Sequence, residues 1–448
     1  MPRDPNDLDP DAPTIRIGAA APRMGELPPA GFLPREARTW EDVGVESALV
    51  EQIILRLLAR EGSANGRQIS QELALSTTLL KDILDGLKTQ KLLQHRGATA
   101  MGDFVWELTE QGRNAAVESR KLATYVGPVP VPFFQYVRAV QAQTLAALRP
   151  TQDDLARAFD DMTLPQGLLD AIGPAISSGR ALFLYGEPGN GKTSIAERIT
   201  RSFGDVIWIP VTLMIDGHIV KLYDPATHNH TPDASRSLSV LDRPDRRWVR
   251  IDRPTVIAGG ELTLDMLEIQ RNPTSGVCEA PLQLKANCGT LVIDDFGRQR
   301  IEPLTLLNRW IFPLERRIDY LRLPDGRKIP APFDPLLVFS TNIDPSTLVD
   351  EAFLRRIPYK IKVPDPTRDE FGRLVLIMAE RLGVRVPPGA LSNLMDCHYR
   401  TRALRFCHPR DLLQQIVDYA RYMQVEPVAT PEAWERAVGN YFGASEGS

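Results

Sequence analysis

Hydrophobic positions along this chain change period several times, and each change marks an element. Leu49, Ile53 and Leu57 form one stripe and Val50, Ile54 and Leu58 another beside it. That spacing predicts a helix, which Gly62 ends. A shorter helix is expected over 67–74. Ser76 then caps a third, with Leu79, Leu80, Ile83, Leu84 and Leu87 on its apolar face. Leu92-Leu93 and Phe104–Leu108 flank a glycine-bearing turn and read as two strands, and Thr109 caps a last helix.

Further along, the helical period gives way to short unbroken apolar runs. Ala181–Tyr185, Val206–Val211, Thr290–Ile293 and Leu336–Phe339 suit strands buried on both faces. The run at 206–211 is expected to be the second strand of the same sheet. Asp216-Gly217 sits between two strand-like stretches, 212–215 and 218–223, and predicts a hairpin. Pro324-Asp325-Gly326 predicts another between 321–323 and 327–329. The polar stretch 224–252 reads as an exposed loop.

Composition narrows the class without naming a function. The chain has 448 residues, 43% hydrophobic and 25% charged, which suggests two to four ordinary globular domains. No apolar run approaches the ~20 residues that span a bilayer. The first residues lack the apolar core of a signal peptide, so a cytoplasmic location is the expectation. Cys278, Cys288, Cys397 and Cys407 form no C-x-x-C pair and are expected to be buried free thiols. His228-Asn229-His230 has no further ligand at metal spacing and reads as polar loop.

Eight prolines fall within residues 1–39, the composition of a disordered, solvated arm. Residues 40–124 form a small α+β unit, and 125–150 a proline-rich, semi-rigid linker with a connecting helix. The order of helices and strands in 40–124 resembles a winged helix-turn-helix. Between Glu41 and Thr124 stand ten Lys and Arg against twelve Asp and Glu. A DNA reader usually shows a basic face. Protein contact is therefore favoured over DNA, which stays open as the alternative.

Specific chemistry begins after the run at 181–185. Gly186-Glu187-Pro188-Gly189-Asn190-Gly191-Lys192-Thr193 spells G-x-x-x-x-G-K-[ST], followed by Ser194. A glycine loop between a strand and a helix (expected over 193–202) turns successive N–H groups toward phosphate oxygens. Lys192 would reach the β- and γ-phosphates, and the Thr193 hydroxyl would ligate Mg2+. About 100 residues later the run ending at Ile293 delivers Asp294-Asp295 at a strand's C-terminal end, where α/β sheets place their sites. Asp294 would hold the metal through water, and Asp295 would orient or deprotonate the attacking water. Asn342 ends a third run and is placed to position that water. Arg355-Arg356 is a candidate pair for a neighbouring subunit's γ-phosphate. Arg410, behind Pro409 at a helix start, would face the nucleotide.

These motifs occur in the order found in AAA+ ATPases, and 151–448 resembles that family. The resemblance identifies Gly186–Thr193 with Walker A, Leu291–Asp295 with Walker B, Asn342 with sensor one, Arg355-Arg356 with the arginine finger and Arg410 with sensor two. The phrase 285–295 and the hairpin before Asn342 are similar to MoxR-type ATPases and bacterial enhancer-binding proteins. The implied fold is a P-loop α/β parallel sheet over 151–364 with a helical lid over 365–448, opened by the box Thr367-x-x-Glu370. The implied activity is Mg2+-dependent ATP hydrolysis by a ring, a homo-oligomer and expected hexamer, that remodels a protein partner. The alternative is a nucleotide-gated, DNA-binding initiator, loader or regulator. One departure stands out: Walker B usually reads Asp-Glu, and Asp294-Asp295 places a shorter carboxylate at the second position.

Overall fold

The computed structural model describes residues 32–98, 103–165, 167–204, 206–232, 243–348 and 354–443. Residues 1–31 of the expected arm, 233–242 of the expected loop and 349–353 before the arginine pair lie outside them.

The N-terminal module follows the apolar stripes. Helices Ser47–Glu61, Gly66–Leu73 and Thr77–Thr89 precede a ribbon of β2 (Leu93–Ala98) and β3 (Phe104–Leu108), joined by β1 (Ser63–Asn65), and helix Glu110–Leu122 closes the unit. The expected caps form: Ser76 accepts from the Leu79 N–H and Thr109 from the Gly112 N–H. Both stripes of the first helix are used, because it is covered from several sides by one cluster that includes Ile53, Leu57, Leu80, Leu87 and Trp106.

The central sheet is all-parallel, in the order β10 (Thr255–Ala258), β13 (Thr290–Ile293), β16 (Leu336–Thr341), β5 (Leu182–Tyr185), β17 (Tyr359–Lys362). Period-two alternation explains why its strands are apolar without a break. Phe183, Leu291, Ile293, Leu337 and Phe339 enter one cluster with Phe296 and Trp310. Leu182, Leu184, Val292, Leu336 and Val338 enter another with Ile172, Ile195 and Ile199. Each buried side chain of this size contributes about 1.5–3 kcal/mol. Both faces are thus filled, and the functional groups can lie only at the strand ends. The fold class is α/β with a P-loop, carrying a helical C-terminal unit and an N-terminal α+β module. The C-terminal unit packs helices Arg368–Leu382, His408–Met423 and Pro431–Phe442 around Phe371, Leu412 and Trp434. The Thr367–Glu370 capping box opens it.

Three expectations need correction. Val206–Pro210 is a strand (β6), but it pairs antiparallel with β9 (Trp248–Asp252) outside the central sheet. The neighbour of β13 is β10, four residues behind Pro254. An apolar run alone does not say which sheet it joins. The stretch 224–252 is in part a strand and not wholly an exposed loop: within it Asp245 and Arg247 are buried as an ion pair, their charges satisfied by each other. The linker, expected to be semi-rigid, is packed into the protein. Val129 and Val131 are fully buried, and Tyr125 Oη donates to the Pro128 carbonyl. Finally, all four cysteines are free as expected, yet Cys397 is exposed and Cys407 only half-buried.

The hairpin at Asp216-Gly217 forms as β7 (Thr212–Ile215) and β8 (His218–Lys221). It belongs to a second five-stranded sheet, flanked by β4 (Val131–Pro132) on one side and by β12 (Cys278–Glu279) and β11 (Gln270–Arg271) on the other. The second hairpin is β14 (Ile318–Arg322) with β15 (Lys328–Pro332). The segment leading into β9 ties the N-terminal module to the β6–β9 ribbon. Arg247 donates to the Val43 carbonyl at 2.9 Å, and Arg246 to the Leu75 carbonyl and the Ser70 hydroxyl.

Candidate functional site

Strand β5 ends at Tyr185, and the chain turns through the glycine loop into helix Lys192–Ile199. Two of the glycines are dictated by space. A Cβ on Gly186 (φ +145°) would lie 2.5 Å from the Val363 carbonyl oxygen, and one on Gly189 (φ +84°) 2.6 Å from Cys407 Sγ. Either contact is inside van der Waals distance, so the loop conformation tolerates no side chain there.

The adjacent strands β13 and β16 bring the other candidates to the same end of the sheet. Lys192 is buried, and its Nζ donates to the carbonyls of Gly186 and Glu187, both at 3.0 Å, and to Asn342 Oδ1 at 2.6 Å. Asn342 Nδ2 donates onward to Asp295 Oδ1 at 3.3 Å. Thr193 Oγ1 donates to Asp294 Oδ2 at 2.8 Å. Burial pushes the Lys192 ammonium below its usual pKa, while Asp294, Asp295 and Glu187 pull it back up. Asp295 holds φ +49°, a left-handed conformation unusual for a residue with a side chain. Its backbone N–H donates to Asp294 Oδ1 at 3.1 Å. Such local strain concentrates at functional positions.

Above these groups lies a cavity of about 650 Å³. Lys192, Thr193, Asp294, Asp295 and Asn342 line its polar floor, and Arg410 reaches it from the lid. Met162, Leu374, Ile377, Met378 and Phe406 make an apolar wall of the kind that accepts a flat heterocycle. Pro188, Gly189, Gly191 and Ser194 border it, whereas Asn190 turns inward and is buried. Asn190 Nδ2 donates to Asp365 Oδ1 at 2.7 Å, so this loop residue joins the segment that leads into the C-terminal helical unit.

Neither Arg355 nor Arg356 lines this cavity. Arg355 is exposed, and Arg356 pairs with Glu315 at 2.7 Å on helix Pro303–Arg316. The sequence reading missed several charged groups at the site. Arg198 and Arg298 line the cavity; Arg198 also pairs with Asp161 at 2.8 Å and holds that carboxyl down at about 2. Arg381 from the lid donates to the Asp161 carbonyl at 3.4 Å. Arg405 from the lid pairs with Glu187 at 3.0 Å and with Asp365. No motif flags these residues, because their partners lie far away in sequence.

Thr193 and Asp294 present two hard oxygens side by side, a donor set that fits Mg2+ with phosphates and water completing its shell. At 228–230 both ring nitrogens of His228 are engaged by the backbone. His228 Nδ1 accepts from the Asp224 N–H at 3.0 Å, leaving Nε2 to donate to the Lys285 carbonyl at 2.9 Å. Among the described residues no cluster of three or more His, Cys, Asp or Glu is placed to hold a metal.

Comparison with known proteins gives little beyond this. Residues 367–440 match a family model described as a domain of unknown function, DUF8689. No curated protein matches the chain. Among solved structures, NtrX from Brucella abortus in complex with ADP is 13% identical with a TM-score of 0.40, covering 64% of this chain and 57% of that one. The same protein in complex with ATP is 13% identical with a TM-score of 0.37, covering 73% and 62%. RuvB from Thermotoga maritima, a Holliday junction branch migration motor, is 13% identical with a TM-score of 0.34, covering 68% and 73%. The chain thus spans less than two thirds of the NtrX chains it resembles. The fold assignment rests on the strand order and the loop described above.

Proposed function

We propose that this protein binds and hydrolyses ATP as an Mg2+-dependent AAA+ ATPase, that it works as a ring, and that the ring remodels a protein partner. The observation that carries the hydrolytic part is the convergence of Lys192, Thr193, Asp294, Asp295 and Asn342 on one cavity floor, through contacts of 2.6–3.3 Å. The N–H groups of the glycine loop and Lys192 would hold the β- and γ-phosphates, and the apolar wall the base. Thr193 and Asp294 would hold Mg2+, which when bound neutralises charge on the phosphate oxygens. Asn342 would fix the attacking water, and Asp295 would accept its proton as the water oxygen bonds to phosphorus and the ADP oxygen leaves. Arg410 would close on the phosphates from the lid.

The absence of Arg355 and Arg356 from the lining of their own cavity supports a role across a subunit boundary. The two hairpins and the N-terminal module, built around the central sheet and away from its cavity, are the surfaces available to a partner.

The test is paired. Lys192→Ala should abolish turnover measured as phosphate release. Asp295→Ala should keep ATP bound and trap an oligomer, read as mass by light scattering, on which a partner can be captured. Turnover that survives Lys192→Ala would remove the ATPase reading. An Asp295→Ala protein that stays monomeric with ATP would remove the ring.

A further inference from the structure

The segment Arg405–Cys407 lies in the C-terminal helical unit, yet each of its three residues makes a polar contact with the phosphate loop. The Cys407 N–H donates to the Gly189 carbonyl at 3.0 Å, and the Phe406 N–H to Asn190 Oδ1 at 3.4 Å. The Arg405 guanidinium uses one arm for Glu187 and the other for Asp365. Asp365 in turn accepts from Asn190. Three positions of the loop, Glu187, Gly189 and Asn190, are therefore tied to one segment of the C-terminal unit and to Asp365. The Arg405 side chain is only 17% exposed, while its partners Glu187 and Asp365 keep 58% and 40% of theirs open to solvent.

We infer that Arg405 is a positioning residue through which the lid holds the phosphate loop, and that it governs how long a nucleotide stays bound. The inference rests on the nucleotide-binding reading above. Arg405 does not line the cavity, so it touches no reacting atom. It acts by fixing Glu187 relative to Asp365, and with them the loop that curls around the phosphates. A planar guanidinium spans two carboxylates at once, which an ammonium does not do in the same way. Release of nucleotide requires the loop and the lid to part, and this two-armed contact resists it.

The experiment measures dissociation of a fluorescent ADP analogue (mant-ADP) by stopped flow, with thermal unfolding of the nucleotide-free protein as a control. Arg405→Ala should speed dissociation by about 10-fold, the effect of losing hydrogen bonds between charged groups. Arg405→Lys should recover part of the loss. Glu187→Gln, on an exposed carboxylate that the fold does not need, should speed dissociation as well. The double variant should be no faster than Arg405→Ala alone, because the two residues act through one contact. Unchanged dissociation in Arg405→Ala, or additive effects in the double variant, would overturn the inference while leaving nucleotide binding intact. Failure of the unaltered protein to bind mant-ADP would instead contradict the nucleotide reading on which it stands.

Discussion

Asp295 shows what a single residue contributes here. A left-handed conformation at a non-glycine position costs about 1–3 kcal/mol. It is held by the Asp294 carboxylate below and by Asn342 beside it. The shorter carboxylate is thus brought to the cavity by backbone geometry as well as by side-chain length. Asp295→Asn should keep ATP affinity and lower single-turnover hydrolysis by on the order of 10²- to 10⁴-fold, measured by rapid quench. Gly189→Ala tests the loop's shape. Its Cβ would meet Cys407 Sγ in a backbone region that side chains avoid. Nucleotide affinity by calorimetry should fall at least about 10-fold. At this scale the sequence was informative where a motif ties residue type to chemistry. Lys192, Thr193, Asp294, Asp295 and Asn342 are each marked by a motif, and the fold brings them to one cavity. Arg405, Arg381 and Asp365 are not so marked, because their meaning lies in contacts between elements.

Among the elements, the lid helix His408–Met423 carries a pH-dependent prediction. His408 is buried, with Nδ1 unpaired. Burial, then the Arg405 charge, lowers its pKa to about 4. The folded lid therefore resists a proton that the unfolded chain accepts near 6.5. Stability is full above that value and falls as the pH drops from about 6.5 toward 4, by up to about 3 kcal/mol. Urea unfolding at pH 7 and pH 5 should show the loss, and His408→Gln should flatten it. Strand membership was the less legible feature. Leu336–Thr341 and Thr290–Ile293 were found because their burial on both faces leaves unbroken apolar runs. Val206–Pro210 has the same look and joins another sheet, while the true neighbour Thr255–Ala258 is the edge strand, with Ile257 exposed, and so lacks a run buried on both faces. The helix Thr77–Thr89 exposes Lys81 and Lys88 alongside Asp82 and Asp85, so phosphate contacts find no continuous basic face. A gel shift with duplex DNA at ~50 mM salt should show no binding; a salt-sensitive shift would revive the DNA-binding alternative.

Across units, buried charge is one of the contacts that joins the N-terminal module to the rest of the protein. Arg247, paired with Asp245 and donating to Val43, pins the N-terminal module to the segment that leads into β9. Removing one member of a buried pair strands the other, at a cost of about 3–5 kcal/mol. Arg247→Ala should therefore expose the junction to limited proteolysis before the central sheet unfolds. A module fixed in this way would move with the ring and present its surface in a defined orientation. The central claim is that each ATP site is completed by a neighbour, with Asp295 acting within a subunit and Arg355-Arg356 across the boundary. The direct measurement is ATP hydrolysis by a mixture of two variants, Asp295→Ala and Arg355→Ala/Arg356→Ala. Each should be inactive alone, and random co-assembly should restore about one quarter of full activity, since half the subunits retain Asp295 and half of their neighbours retain the arginines. No recovery on mixing, or full activity in the arginine variant by itself, would contradict it.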